Sequence, residues 1–240
     1  MDIEEYANRS QHLHSGILDN PEIRDLFEQN SFGNIIDVGC GDGTLLYALH
    51  KNGYLGQVEE TWAVDLSETR LQSIANISSD IKTTQTDAQT LEKIPDEYFD
   101  LVITTQVIEH VPDDAKMLES LARIAKVGSK VYLDTVFKKS YAWYFYKSPH
   151  GDWAIDPTHL REYSKDSELL DKVTEAGFEI VYSKKDLLYF PLLDFFVKRL
   201  SVRNKDVYDS GFVKFIRAFK LPIFGYYCWK MLLIKKAPNA

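Results

Sequence analysis

Ile35-Ile36-Asp37-Val38-Gly39-Cys40-Gly41-Asp42-Gly43-Thr44-Leu45 is the stretch whose reading decides the fold. An apolar run enters a turn with glycine at every second position, and a helical pattern from about Thr44 to Lys51 leaves it. Glycines there remove the Cβ atoms that would hold a ligand off the backbone, and they tolerate the positive φ of a tight strand-to-helix turn. The helix that follows aims its free N–H groups at the same place. A dinucleotide fingerprint needs G-x-G-x-x-G, but Thr44 stands where its third glycine belongs, so the spacing is D-x-G-x-G-x-G. An acid just ahead of the turn opposes a pyrophosphate and suits a ligand that carries an ammonium and a sulfonium. A glycine turn with no ligand is the plainer account of the glycines taken alone.

Working outward, Trp62 to Asp65 reads as a second strand ending in an acid, and Ser67 as the cap of a helix bearing Leu71, Ile74 and Ile77. An acid at the end of that strand is placed to accept from both hydroxyls of a ribose; a helix-capping acid explains Asp65 equally well. Ile81 to Thr86 is a weaker, alternating strand that leads into Asp87-Ala88-Gln89. Phe99 to Gln106 is nearly continuous in apolar residues, as a central parallel strand should be. Pro112 is expected to open a helix through Met117, Leu118, Leu121 and Ile124, with Gly128 ending it and Lys130 to Asp134 as the fifth strand.

The glycine turn resembles the first motif of the class I S-adenosylmethionine-dependent methyltransferases. The run Phe99-Asp100-Leu101-Val102-Ile103-Thr104-Thr105-Gln106-Val107-Ile108-Glu109-His110-Val111-Pro112-Asp113 resembles their fourth, F-D-x-V-x-x-x-x-V-x-E-H-V-x-D. His159 to Val181 is similar to the small-molecule members, including ubiquinone-type O-methyltransferases and enzymes that methylate glycans, in which H-x-R-x-[FY]-S leads into a helix. The motifs cover about residues 33 to 183. The resemblance implies an α/β fold: a doubly wound, Rossmann-like, seven-stranded, mostly parallel sheet whose last strand, Tyr226 to Lys235, inserts antiparallel beside the fifth. It implies S-adenosylmethionine as cofactor, held by Asp37, Gly39, Gly41, Gly43, Asp65, Leu66, Asp87, Ala88 and Gln106.

Methyl transfer to a hydroxyl needs a proton acceptor, and histidine has the nearest pKa. His110 lies in the fourth motif, while His150 and His159 fall where the resemblance places the acceptor. The acids of His150-Gly151-Asp152 and Asp156-Pro157-Thr158-His159 read as loop turn chemistry or, with the imidazoles, as ligands for a divalent ion; no metal is assigned. The expected activity is O-methylation of a small hydroxylated acceptor, a sugar or lipid-linked glycan among them. A methyltransferase fold used only for binding, and more weakly a nicotinamide oxidoreductase, are the other readings, which fold alone does not separate.

The 240 residues, 45% hydrophobic, read as one domain, with an N-terminal helical lid or packing helix over 1–33, a cofactor core over 34–183, a helical insert over 187–224 and the last strand over 226–235. Two cysteines without C-x-x-C spacing argue against a disulfide framework and a zinc cluster and point to the cytoplasm. The acidic N-terminus has no secretion-signal pattern, and the longest apolar run, Leu221 to Ile234, is broken by Lys230. The net charge of −8 opposes nucleic-acid binding, yet ten basic residues stand against two acidic ones from Phe195 onward, +8 on the tail and −16 on the rest. In the insert, Leu192, Leu193, Phe196, Val197 and Leu200 share one helical face, and Phe212, Phe215, Ile216 and Phe219 another. That pattern fits peripheral contact with an anionic membrane or a lipid-linked substrate, or two helices packed on the sheet or on a second subunit of a homodimer.

Overall fold

The structure, a computed structural model, describes residues 18, 20–144, 146–191 and 220–237. The two helical faces expected within 192–219 lie outside the described residues. Among the described residues, nine strands and five α-helices follow in order: α1 Pro21–Gln29, β1 Asn34–Val38, α2 Thr44–Lys51, β2 Glu60–Asp65, α3 Glu68–Ile74, β3 Ile81–Gln85, β4 Phe99–Thr105, α4 Asp114–Ile124, β5 Ala125–Lys138, β6 Tyr146–Lys147, β7 Trp153–Ala154, α5 Ser167–Glu175, β8 Phe178–Pro191 and β9 Lys220–Lys235. Seven strands form one sheet in the order β3-β2-β1-β4-β5-β9-β8, parallel from β3 to β5, with β9 antiparallel to both its neighbours. The expected doubly wound sheet and its antiparallel last strand are therefore present.

Alternation along the strands sends side chains to two cores. On one face Ile36, Val38, Val64, Val102, Val131 and Leu133 meet Met117, Leu118 and Leu121 of α4 and Leu169 and Val173 of α5, with Trp229 of β9 fully buried among them. On the other, Ile35, Leu101, Ile103, Tyr132 and Leu232 cover Ile23, Leu26 and Phe27 of α1. Leu46 of α2 and Leu71 and Ile74 of α3 close over Ala63 of β2. With both faces covered, the carboxyl ends of the parallel strands are left as the place where a ligand meets the sheet.

Several boundaries differ from the sequence reading. Asp113, not Pro112, caps α4, its carboxylate accepting from Lys116 N at 3.0 Å. α4 ends at Ile124 because Ala125 is already extended and pairs with Phe99; Gly128, at φ +80°, sits within an irregular stretch of β5 before Lys130 pairs with Leu101. Ile77 lies beyond α3 but is still buried. Ser164 serves α5 through Glu168, whose carboxylate accepts from Ser164 N and Lys165 N, while Asp166 holds the cap position without a side-chain bond.

The ends of the expected helical insert are strand. Tyr189 pairs with Pro222, Phe190 with Leu221 and Pro191 with Lys220, so β8 and β9 run on past the rest of the sheet as a two-stranded ribbon. Pro222 and Gly225 read as strand breakers, yet β5 pairs with β9 only as far as Tyr226. Past Gly225, whose carbonyl still accepts from Lys139 N at 2.9 Å, β9 pairs only with β8 among the described residues, and such an edge is where proline is tolerated. Gly225, at φ +81°, is required by a neighbour: a Cβ there would lie 2.7 Å from the Ala142 Cα. Among the described residues no helix is long and apolar enough to cross a membrane.

Candidate active site

The glycine turn is held by its neighbours as much as by its own conformation. Gly39 N and Cys40 N both donate to Val64 O, at 2.8 and 3.0 Å, and Gly43 N donates to Cys40 O at 3.0 Å. All three glycines have positive φ, +75°, +55° and +80° for Gly39, Gly41 and Gly43. Their surroundings differ. A Cβ on Gly39 would lie 2.3 Å from Val107 Cγ2, and one on Gly43 2.5 Å from Ile74 Cδ1, whereas one on Gly41 would have only Arg70 Nη1 within 4 Å, at 3.8 Å. Gly39 and Gly43 are thus glycines because protein packs against them; Gly41 is the one that faces open space. α2 begins directly after Gly43 without a side-chain cap, so its first N–H groups remain directed at that space.

Asp65 Oδ2 accepts from Gly41 N at 3.0 Å and Oδ1 from Ser67 N at 2.9 Å. The acid at the end of β2 therefore ties the turn to the start of α3, the backbone-ordering role of the two readings, and each of its oxygens has a further lone pair. Leu66 beside it is exposed, and its carbonyl accepts from Gln85 Nε2 at 2.9 Å. Asp87 accepts from Gln89 N at 2.8 Å and from the Gln89 side chain; Ala88 is buried in the first core. Gln106, at φ +54°, bends the chain off β4, with its N donating to Asp134 O at 3.0 Å and its Nε2 to Asp134 Oδ1 at 2.8 Å. A left-handed non-glycine residue at a strand end is the kind of strain that gathers at ligand sites.

Asp37 is 2% exposed and its Oδ1 has no hydrogen-bond partner. Burial, then the charges of Asp65 and Asp134, push its pKa up to about 7. Asp134, also buried, is pushed up to about 6, chiefly by burial. A buried carboxylate with one unpartnered oxygen, Asp37, and a second buried acid, Asp134, beside the glycine turn fit a ligand with a positive end, which S-adenosylmethionine has in its ammonium and sulfonium. They do not fit a pyrophosphate.

Both carboxyls favour the neutral form in the folded state, so their contribution to stability is present below their unfolded pKa and is lost as pH rises through about 6 to 7. His159, held above its usual range, acts in the same direction, and His110, pushed down to about 4, in the opposite one. Thermal melts of the ligand-free protein should therefore show stability falling between about pH 5.5 and 8, and S-adenosylmethionine should raise Tm more at the higher pH. A ligand-induced shift independent of pH would place the ligand's charge away from Asp37.

The three histidines part company. His110 and His159 meet, their rings 4.7 Å apart and edge to face. His159 is 4% exposed, with Nδ1 2.8 Å from Glu162 Oε1. Burial opposes its charge, but Glu162 and Glu109 hold its pKa above the usual imidazole range. Burial, then the neighbouring His159, lower that of His110. His150 is exposed; it lines a cavity of about 260 Å³ together with Lys138, Asp152, His159 and Glu162, but does not join the His110–His159 pair.

Three residues of this site were not singled out from sequence. Glu109 is fully buried, pushed up to about 7 chiefly by burial, and accepts from Thr135 Oγ1 at 2.8 Å. Glu162 orients His159; its signal was the i, i+3 spacing. Arg161 reaches back to the loop after β4, donating from Nη1 to Ile108 O and Val111 O and from Nη2 to Pro112 O, with Leu160 N donating to Glu109 O at 2.9 Å. Tyr163 donates to Asp114 Oδ2 at 2.9 Å. The His-x-Arg-x-Tyr pattern is thereby explained: Arg161 and Tyr163 fasten their segment to the loop and helix that follow β4, and His159 packs its ring against His110 of that loop.

Comparison with known proteins places the chain in a family. A family model described as a methyltransferase domain matches residues 11–183. A ubiquinone biosynthesis O-methyltransferase of Idiomarina loihiensis is 29% identical over 182 residues, 72% of this chain and 71% of that protein. One from Pseudomonas aeruginosa is 29% identical over 66% of this chain and 69% of its own length. Among solved structures, the YcgJ protein of Bacillus subtilis superposes with TM-score 0.60 at 18% identity, over 91% of this chain and 99% of its own. The [4+2]-cyclase SpnF does so with TM-score 0.63 at 16% identity, over 98% and 92%. These last two are likenesses of fold.

Proposed function

The chain belongs to the methyltransferase-domain family and depends on S-adenosylmethionine, and from that premise we propose that it methylates a hydroxyl of a small acceptor. Bound at the glycine turn, S-adenosylmethionine supplies an electrophilic methyl group; the S–CH₃ bond breaks, an O–CH₃ bond forms, and S-adenosylhomocysteine is left. The turn and Asp65 hold the nucleoside end, and Asp37 and Asp134 lie beneath the positive end. Holding an acceptor in line with the S–CH₃ bond contributes roughly 7 to 11 kcal/mol. A hydroxyl must also be ionised. The observation that carries the reading is the cluster of buried Glu109 and His159 with half-buried His110, groups able to take up the proton of a hydroxyl. The O-methyltransferase names of the relatives support the same choice.

The acceptor side has an apolar rim. Tyr141, Trp143, Tyr146 and Trp153 are exposed, as are Leu187, Tyr189, Leu221 and Phe224 on the β8–β9 ribbon, and the rings of Tyr141 and Phe224 lie 5.1 Å apart, tilted at 45°. The rim supports an acceptor with an apolar portion, a lipid-linked glycan or a prenylated ring, met at a membrane surface. Methyl transfer should be measured with a dihydroxybenzene in solution and with a long-chain analogue in anionic vesicles. Turnover of both, faster in vesicles, is expected. Transfer to amines with neither hydroxyl compound accepted would overturn the hydroxyl reading; equal rates in buffer and vesicles would overturn the membrane one.

A further inference from the structure

A chain of hydrogen bonds leads from the start of α1 to the end of β4. Asn20, the cap of α1, uses the two ends of its amide separately: Oδ1 accepts from Ile23 N at 3.2 Å, and Nδ2 donates to the Tyr132 hydroxyl at 2.8 Å. Tyr132, fully buried in β5, donates in turn to Asp134 Oδ2 at 3.3 Å, and Asp134 Oδ1 accepts from Gln106 Nε2 at 2.8 Å. Val107, the next residue after Gln106, packs on Gly39 of the glycine turn. Each oxygen of Asp134 keeps a further lone pair. The cation opposite it in the β5–β9 register, Lys230, is engaged elsewhere, its Nζ 2.9 Å from Glu22 Oε2 and 2.9 Å from Asp186 Oδ2. Two other buried acids, Asp37 and Glu109, lie within reach of the Asp134 charge and add to the demand for a counter-ion.

We propose that Asp134 receives the α-ammonium of S-adenosylmethionine, that Tyr132 and Asn20 are positioning residues for it, and that cofactor binding thereby tightens the docking of α1. The inference rests on the cofactor alone and is independent of which atom accepts the methyl group. A buried carboxylate that gains a cation stays ionised, and an ionised carboxylate can only accept. Tyr132 must then donate to Asp134, its own oxygen is left to accept from Asn20, and the charge at one end of the chain strengthens the bonds along it. Without that cation Asp134 is raised to about 6 by burial, and in its protonated form it competes with Asn20 for the Tyr132 oxygen. The first turn of α1 is thus tied to the ligand through Asn20 and Tyr132, while Glu22 of the same turn holds Lys230 away from Asp134.

Hydrogen exchange of the full-length protein reads the coupling without turnover. Saturating S-adenosylhomocysteine, which keeps the ammonium, should slow exchange of the α1 amides roughly 10-fold or more, the worth of a hydrogen bond to a charged group. Saturating 5′-methylthioadenosine, which has the nucleoside but no ammonium, should not. Asp134→Asn, isosteric and uncharged, should weaken S-adenosylhomocysteine roughly 10- to 100-fold by calorimetry and leave 5′-methylthioadenosine within about twofold. Tyr132→Phe keeps the ring and removes the bridging hydroxyl. Asn20→Asp keeps the cap, since aspartate caps as well as asparagine, and draws the Tyr132 proton away from Asp134. Both should abolish the slowing at α1 and cost roughly 3- to 10-fold in S-adenosylhomocysteine affinity. Binding of 5′-methylthioadenosine reports that each variant is folded, and the exchange result for the unmutated protein stands without them. Equal slowing of α1 by both ligands, or by neither, overturns the coupling. Equal losses of affinity for both ligands in Asp134→Asn overturn the assignment of the ammonium.

Discussion

Replacing Gly41 with valine abolishes cofactor binding and leaves the protein folded. The Cβ would meet only Arg70 Nη1, at an ordinary contact distance of 3.8 Å and at the far end of a flexible side chain, so the cost to the fold is chiefly that of a branched residue at φ +55°, about 1 to 2 kcal/mol. The same side chain occupies the volume that the ligand must enter. An affinity loss of at least ~100-fold, about 2.8 kcal/mol, is expected for S-adenosylhomocysteine by calorimetry. Gly39→Val is the contrast. Its Cβ would overlap Val107, which follows β4, so the loss falls on stability, roughly 2 to 4 kcal/mol by denaturant unfolding. If Gly41→Val bound S-adenosylhomocysteine normally, the ligand would have to sit elsewhere than over this turn.

Arg161→Ala should lower kcat roughly 100-fold while changing S-adenosylhomocysteine affinity by no more than about threefold, because Arg161 acts on the acceptor side and touches none of the cofactor turn. Its guanidinium donates to three carbonyls of the loop, those of Ile108, Val111 and Pro112, and it lies 3.7 Å from Asp114. Asp114 keeps Lys172 and Tyr163 in the variant, so α4 remains anchored. What is lost is the placement of Glu109 and His110 opposite His159. Arg161→Lys restores the charge without the planar fork and should recover only a small part of the rate. Parallel losses in rate, cofactor affinity and Tm would mean that Arg161 supports the fold generally and does not position the loop.

The local patterns were legible in the chain. Ile35 to Leu45 announces a strand, a turn needing positive φ and a helix, because glycine at alternate positions and the switch from continuous to periodic apolar residues are properties of consecutive residues. The strands around β4, the caps at Ser67 and near Asp113, and the antiparallel last strand, which the family resemblance supplied, were available in the same way. The ribbon formed by β8 and β9 was not, because Pro222 and Gly225 argue locally against a strand and only the partner strand overrules them.

The site divides along the same line. Asp37, Gly41 and Asp65 are legible because the turn and the strand end that carry them are local, and an acid beside glycines already implies the sign of the ligand's charge. That Gly39 answers to Val107 and Gly43 to Ile74, leaving only Gly41 to the ligand, was decided by tertiary packing. So was the cluster of Glu109 and His110 with His159 and Glu162, residues some fifty positions apart that meet because Arg161 and the backbone of Leu160 fasten one loop onto the other. Sequence by itself determined the cofactor, since its recognition elements lie along one stretch of chain. The grouping of Glu109, His110 and His159 was decided by the tertiary structure, since its chemistry depends on distances and burial that no spacing along the chain encodes.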